Sequence, residues 1–369
     1  MPLPPVVLHA FQAHLPGHAG TQDEILDWLA AAHARAAGDG DEGRYRRLVR
    51  RFGCGSDRIE ARRAYLEDFR HRDWPRMRIF DLDRHPAGSP CGERMAFFSE
   101  TAERILADLY AGEEAGPGTL VHVTCTGYAS PSAAQRLVAA RGWDAEVLHA
   151  YHMGCYASLP AVRAAAGRLA LGAHRVDLVH TELCTLHMDP SRHDPETLVT
   201  QTLFADGAVR YRAAANPGRP GLAVLATREE IVPGTGDAMT WVVSEAGMRM
   251  TLSRRVPELI RAALPDFLAR LARDAGLDRE ALVARARFAI HPGGPRIIDG
   301  IRDLLGLDPL QVEASNRVLR ARGNMSSATL PHVWMDLLED PDVPSGTPVA
   351  ALAFGPGLTL AGAVLRKDA

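Results

Sequence analysis

Apolar residues in this chain recur at helical spacing in some stretches and in short β-like runs in others, and the two patterns alternate over most of its length. Thr21-Gln22-Asp23-Glu24 sets a threonine three residues before a glutamate, a pairing that satisfies orphan amides at a helix start. Ile25, Leu26 and Leu29 then form one helical stripe. Residues 42–63 are helical in tendency and rich in arginine. Residues 72–94 hold prolines, glycines and aspartates without a period, which predicts a surface loop. Ser99 is expected to open a helix carrying Ile105, Leu106 and Leu109. Residues 119–125 read as a short strand, and Ser130-Pro131 as the cap and first-turn proline of the next helix. Residues 146–151 form another strand candidate, with Cys155 at the strand-to-helix turn that follows, and 175–180 a third.

A second series follows the glycine- and proline-rich residues 216–221. Pro257 starts a long helix, 286–290 is a strand, and 294–305 and 311–320 have helical periodicity. Residues 349–354 and 359–365 read as closing strands. This alternation predicts an α/β protein in two similar halves, residues 1–216 and 217–369.

A length of 369 residues suits two domains or one large double core. With 46% hydrophobic and 24% charged residues the composition is that of an ordinary globular enzyme. A net charge of -3 gives no general pull toward nucleic acid or an anionic membrane. The five cysteines, Cys54, Cys91, Cys125, Cys155 and Cys184, are odd in number and contain no CxxC pair. That argues against a disulfide framework or a cysteine zinc site, and for reduced thiols. The N-terminal residues have no basic opening and only a brief apolar run, unlike a secretory signal. No stretch approaches the roughly 20 apolar residues of a membrane span. A cytoplasmic protein is expected.

Candidate chemistry concentrates in three segments. In Tyr151-His-Met-Gly-Cys-Tyr-Ala-Ser158, Gly154 permits a tight turn and places Cys155 at a helix N-terminus. The dipole there is expected to lower the thiol pKa from about 8.5 toward neutrality. Alone, such a cysteine is more often structural. In Ile290-His-Pro-Gly-Gly-Pro-Arg-Ile-Ile298, His291 sits on a sharp turn after a strand. In Arg322-Gly-Asn-Met-Ser-Ser-Ala328, Asn324 stands just ahead of a helix, where its ordinary role is that of a cap.

Taken together and in order, Gly-Cys, His-Pro-Gly-Gly-Pro and Gly-Asn-Met-Ser-Ser resemble the Cys-His-Asn set of the type III polyketide synthases, the chalcone synthase-like family of the thiolase superfamily. Phe354-Gly-Pro-Gly-Leu358 resembles that family's closing loop, and Phe204-Ala-Asp-Gly-Ala208 and Glu182 resemble further motifs. The likeness runs from about Pro5 to Leu365 and is densest after Val121. It implies the five-layered αβαβα thiolase-like fold, a homodimer, and no metal or organic redox cofactor. It also implies that Cys155 carries an acyl group covalently. His291 would form an ion pair with the thiol, and His291 and Asn324 would donate together to the oxygen of an extender thioester that loses carbon dioxide. Acyl-CoA and malonyl-CoA, or acyl-carrier protein, would be the substrates. Cyclisation would give a pyrone or a resorcinol.

By the same likeness the substrate pocket is shaped by Cys184, His187, Phe204 and Met250, with Glu182, Phe354, Gly355, Pro356 and Gly357 beside it. Met250 stands where the family usually has a second phenylalanine, and methionine is the more adaptable residue. The stretch from Cys125 to Pro131 aligns with a loop that crosses the family's dimer interface. The group Arg50, Arg51, Arg58, Arg62 and Arg63 lies where relatives bind coenzyme A phosphates; Arg58 and Arg62 are the candidates for the phosphate of coenzyme A or of a carrier protein. A solvated helix face explains the group equally well. Two other functions fit the same residues: a ketosynthase resembling the ketoacyl-ACP synthases III, which takes chains from a carrier protein or joins two acyl chains, and a non-catalytic partner subunit.

Overall fold

A computed structural model describes residues 6–215 and 217–368. The ends of the two expected halves (Met1, Asn216 and Ala369) lie outside the described residues, as do the first residues of the N-terminal stretch read above for a signal. The strands are β1 (Val6–His14), β2 (His18–Thr21), β3 (Ala61–Ala64), β4 (Thr119–Thr124), β5 (Glu146–Tyr151), β6 (Val176–Leu183), β7 (Asp206–Ala214), β8 (Gly221–Ile231), β9 (Met239–Ser244), β10 (Gly247–Leu252), β11 (Arg287–Ile290), β12 (Pro348–Gly355) and β13 (Thr359–Asp368). The helices are α1 (Gln22–Ala37), α2 (Glu42–Phe52), α3 (Cys91–Leu109), α4 (Ala133–Arg141), α5 (Ser158–Ala170), α6 (Pro195–Leu203), α7 (Val256–Asp274), α8 (Arg279–Arg285), α9 (Pro295–Leu305), α10 (Glu313–Arg322) and α11 (Thr329–Glu339).

Nine strands form one mixed sheet in the order β11-β12-β13-β8-β1-β7-β6-β4-β5. Strands from the first part of the chain occupy one side of the β8–β1 pair, and strands from the second part occupy the other. Alternation within each strand sends side chains into different layers. In β4, Val121 and Val123 join a central core, whereas Leu120 joins the core under α1 and α3. In β12, Val349, Ala351 and Ala353 join the central core, and Ala350, Leu352 and Phe354 join the one under α7. The central core is built on α5, through Leu159, Val162 and Ala165, and on α11, through Leu330, Val333 and Trp334. Three apolar cores separated by two sheet segments are the expected five layers. No described helix is long and apolar enough to cross a membrane.

Parallel pairing within β5-β4-β6 and within β11-β12 aligns their carboxyl ends. These ends lead directly into Cys125, Cys155, Cys184, His291 and Pro356. Such ends are where α/β sheets collect functional residues.

Several local expectations are corrected. Residues 42–63 are not one helix: α2 stops at Phe52, and the chain enters β3 at Ala61. The helix expected from Ser99 begins at Cys91, behind a Pro90 that makes no side-chain cap. Ser130-Pro131 is a cis peptide rather than a helix start. The cap is Ser132, which forms a reciprocal pair with Gln135.

Candidate active site

The two central helices bring their N-terminal turns together. Before α5, Gly154 adopts φ +75° and Cys155 sits in a single 3-10 turn. A side chain at Gly154 would meet the Pro356 ring, 2.9 Å from a Cβ, and one at Gly355 would overlap the ring of Tyr156. The close of β12 is therefore clamped onto the cysteine turn. Before α11, Ser326 holds φ +49°, a left-handed conformation that costs a non-glycine residue of order 1–3 kcal/mol.

Asn324 is fixed on every side. Its backbone N–H donates to Leu203 and its carbonyl accepts from Ala205, at 2.9 and 2.8 Å. Its Oδ1 accepts from the Ser326 amide at 2.9 Å and from the Thr329 hydroxyl at 3.4 Å. With Oδ1 occupied, the amide NH₂ is left for other work, and its nearness to Cys155 favours the thiolate form.

The sulfur of Cys155 is 3.9 Å from Ser326 Oγ, which in turn is 2.8 Å from Cys125 Sγ. Cys125 Sγ lies 3.4 Å from Glu182 Oε1. Glu182 is fully buried and also accepts from the Thr126 hydroxyl at 2.9 Å, the Cys125 amide at 3.1 Å and the Ser327 hydroxyl. Burial raises its carboxyl above the usual range. Cys155, Ser326, Cys125 and Glu182 thus form one continuous hydrogen-bonded chain.

His291 follows β11, with its amide bonded to the Leu352 carbonyl of β12 at 2.8 Å. The turn after it passes beside Leu203, whose side chain lies 3.4 Å from a Cβ built on Gly294. The histidine segment therefore runs between the β12 strand that clamps the cysteine turn and the Leu203 carbonyl that holds Asn324. Its ring is 2% exposed, and neither nitrogen has a hydrogen-bond partner. No His291–Cys155 hydrogen bond is present.

The expected lowering of the thiol pKa is overturned. Burial pushes Cys155 up to about 12, with Glu182 adding to it, and the Ser326 and Asn324 donors oppose this only in part. Burial also brings His291 down to about 3. The resting site is a neutral thiol and a neutral imidazole, because desolvation outweighs a helix-end dipole here.

A cleft of about 890 Å³, its solvent-open mouth included, leads to this point. Cys155, Gly154, Ser326, Cys125 and Pro356 line it, together with Cys184, His187, Phe204 and Met250. Met188, Met239, Met248 and Trp241 add apolar wall that the sequence did not reveal. Trp241 is tied down by donating to the Cys125 carbonyl at 2.6 Å. His187 is a satisfied wall residue. Its Nδ1 accepts from the Met248 amide at 3.1 Å, so its Nε2 carries the proton donated to the Thr126 carbonyl at 2.7 Å.

The catalytic candidates His291 and Asn324 are not among the lining residues, and some expected pocket residues stand elsewhere. Glu182 is behind the wall, bonded to its members. Phe354 points into the core under α7, since it alternates with the inward-facing Ala353. Gly355 and Gly357 shape the loop but do not line the cavity; Gly357 donates to the Met239 carbonyl at 2.9 Å.

Arg62 stands in β3 and not on a helix face. It is 2% exposed, and it donates to Gln22 Oε1 at 2.8 Å and to the carbonyls of Gln201 and Phe204 at 2.8 and 2.6 Å. It braces the chain on either side of the pocket phenylalanine. Arg58 is at the surface, 2.8 Å from Asp299.

Residues 223–368 match the family "Chalcone and stilbene synthases, C-terminal domain". The chain is 31% identical over 272 residues to "Probable polyketide synthase 1" of Dictyostelium discoideum, a match covering 72% of this chain and 8% of that much longer protein. It is 32% identical over 260 residues to "Type III polyketide synthase C" of Arabidopsis thaliana, covering 67% of each. The crystal structure of the C-terminal type III polyketide synthase domain of Steely1, from Dictyostelium, superposes with a TM-score of 0.84 at 26% identity, over 99% of this chain and 100% of that one. This chain therefore belongs to the type III polyketide synthases, thiolase-fold acyltransferases that act by decarboxylative Claisen condensation.

Proposed function

We propose that this chain loads an acyl thioester on Cys155 and extends it with a decarboxylated malonyl-type unit. The observation that carries the reading is the Cys155 sulfur at the end of an apolar cavity, with the Asn324 amide and the Ser326 hydroxyl beside it. With the thiol pKa near 12, only about one site in 10⁵ is thiolate at pH 7. The proton must therefore move as the bond forms. In this reading His291 accepts it while sulfur attacks the acyl carbon, the carbon–sulfur bond to the carrier breaks, and the proton passes to the departing thiolate. His291 is suited to this because it is neutral and lacks a competing partner.

The extender then loses carbon dioxide, and the bonding pair moves into an enolate whose oxygen takes N–H donors from Asn324 and His291. The enolate carbon attacks the acyl–Cys155 carbonyl and expels the thiolate. Donors fixed in advance in a water-poor site are the effective kind. The chemistry of this reading uses side chains alone, with acyl thioesters as substrates. The four cavity methionines favour an aliphatic or bulky acyl group, because they adapt to irregular shapes. Pyrone or resorcinol closure, a homodimer and a cytoplasmic setting complete the proposal.

The test is mass spectrometry of the Cys155 peptide after incubation with acyl-CoA, followed by product analysis once malonyl-CoA is added. The expected result is an acyl adduct on Cys155 and a chain-extended product. Transfer only from acyl-carrier protein would replace this reading with a ketosynthase. Product formation unchanged in Cys155→Ala would reject catalysis at this cysteine altogether.

A further inference from the structure

The wall of the acyl cavity carries many polar side chains, yet most of their donor protons are spent inside the protein. The Thr126 hydroxyl donates to Glu182 at 2.9 Å, and that of Thr197 to Asp194 at 2.8 Å. Those of Thr200 and Ser244 donate to the carbonyls of Thr197 and Gly247, at 2.9 and 2.7 Å. Gln201 Nε2 donates to the Asp189 carbonyl at 2.8 Å, so its Oε1 faces His33 Nε2 as an acceptor, also at 2.8 Å. Thr240 shares a hydrogen bond with the Thr251 hydroxyl at 2.6 Å, and the protons of His187 and Trp241 go to the carbonyls of Thr126 and Cys125. Cys184 adds a thiol, which is a weak donor. Among the described residues, the strong side-chain donors still open to a ligand stand toward the ends of the cavity. The Asn324 amide is beside Cys155 at the buried end. Arg249, which is exposed, and Arg192 stand toward the mouth. Arg192 commits Nε and Nη2 to Asp194 and keeps Nη1 without an acceptor.

We propose that this wall makes the enzyme selective for acyl groups whose middle carbons are plain hydrocarbon. The inference rests on the acylation of Cys155 and names the class of acyl group that is loaded. An ether or ketone oxygen accepts hydrogen bonds and donates none. In the middle of the cavity it would exchange water for hydroxyl oxygens and thioether sulfurs whose protons are committed elsewhere or absent, and a buried acceptor left unpaired is costly. The same oxygen near the mouth meets the arginines and solvent. Rejection therefore depends on position along the acyl chain, which overall lipophilicity does not. It follows from where the wall hydroxyls point, since the residue types alone would suggest a polar pocket.

The test is the second-order rate of Cys155 acylation, followed by mass spectrometry with no extender present. Decanoyl-CoA is compared with two analogues of equal length. One has a mid-chain methylene replaced by an ether oxygen, and the other has that oxygen next to the terminal methyl. The mid-chain ether is expected to react about ten-fold or more slowly than decanoyl-CoA, and the terminal ether to stay within about three-fold of it. Equal losses at both positions, or no loss at either, overturn the proposal and leave Cys155 as the acylated residue. No adduct from any of the thioesters overturns the loading of Cys155 and this selectivity together.

Discussion

The hydroxyl of Ser326 stands 3.9 Å from the sulfur of Cys155, on a backbone held at φ +49°. The same oxygen is 2.8 Å from Cys125 Sγ, so a strained residue is placed between two thiols. Strain at such a position persists only when neighbours enforce it, and here the amide bond to Asn324 Oδ1 and the turn into α11 do so. The Cys155 thiol donates to the Ser326 oxygen at rest, and once its proton leaves the hydroxyl can donate back, which favours the thiolate. Ser326→Ala is expected to slow acylation of Cys155 by about ten-fold, the worth of one hydrogen bond near a developing charge. Ser326→Gly should slow it equally while raising stability by about 1 kcal/mol, because glycine relieves the φ strain. Stopped acylation assays and urea unfolding check both. Equal acylation rates in all three proteins would remove the hydroxyl from the chemistry.

Asn324 makes a separable prediction. Its backbone bonds to Leu203 and Ala205 survive side-chain substitution, so Asn324→Ala should fold and still position Phe204. Loss of one preorganised donor costs about 3 kcal/mol, near a hundred-fold in rate. The loss is expected in malonyl-CoA decarboxylation, with acyl transfer to Cys155 affected far less. Measuring the two half-reactions separately decides the matter; equal losses in both would mean that Asn324 serves the thiol rather than the enolate.

Much of the parallel framework was legible in the sequence. Residues 146–151 were read as a strand and form one with the same limits, because apolar runs bounded by turns are distinctive in parallel strands. The antiparallel strands β1, β7 and β8, which join the two parts of the sheet, were not read. They carry Arg210, Arg212, Arg228 and Glu230, whose charges are matched by partners only in the folded state, such as Glu113 and Arg270. Arg62 looked like a surface residue because nothing local announces Gln22, Gln201 and the Phe204 carbonyl as its partners. The three nucleophile-set residues were recognisable from their motifs. The contact of Cys125 with Ser326, 201 residues apart, was not. Neither was the place of Trp241 in the cavity wall, which depends on the pairing of β9 with β10 and carries no motif.

Trp241 is expected to set a limit on acyl-chain size. It occupies the cavity wall next to His187, with ring centroids 5.6 Å apart, and is anchored to the Cys125 carbonyl. Trp241→Leu removes ring volume from the wall and frees that carbonyl. Product profiles with a panel of acyl-CoA starters should shift toward longer or bulkier acyl groups, with small starters losing about ten-fold in kcat/KM for want of contacts. An unchanged profile would put the size limit elsewhere in the cavity.

The ionisation state of Cys155 can be read directly. With its pKa near 12, alkylation by iodoacetamide in the resting protein should rise about ten-fold per pH unit across pH 7 to 9 without a plateau. A preformed thiolate–imidazolium pair would instead give a rate that is flat over the same range. The measurement is the loss of unmodified Cys155 peptide with time, by mass spectrometry, at each pH.

Buried histidines make the fold sensitive to acid. Burial holds His122, His180, His187 and His291 down to about 3, and His33 and His332 to about 4, against an ordinary value of 6.5. Below pH 6.5 the unfolded chain takes up protons that the folded chain refuses, so each histidine subtracts up to about 1.4 kcal/mol per pH unit. The stability they contribute is complete above 6.5 and is lost as pH falls toward 4. The buried carboxyls act with the opposite sign: Asp206, raised to about 6, and Glu182 and Asp177, also raised, gain protons in the folded state and favour it at low pH. Six histidines outnumber three carboxyls in this window, so the net slope is expected to be destabilising. The midpoint of urea unfolding should fall steadily from pH 7 to pH 5, with cooperative unfolding before pH 4 in the absence of urea. A midpoint constant over that range would mean that the imidazoles are protonated in the folded state, and the neutral His291 assigned to proton transfer would go with them.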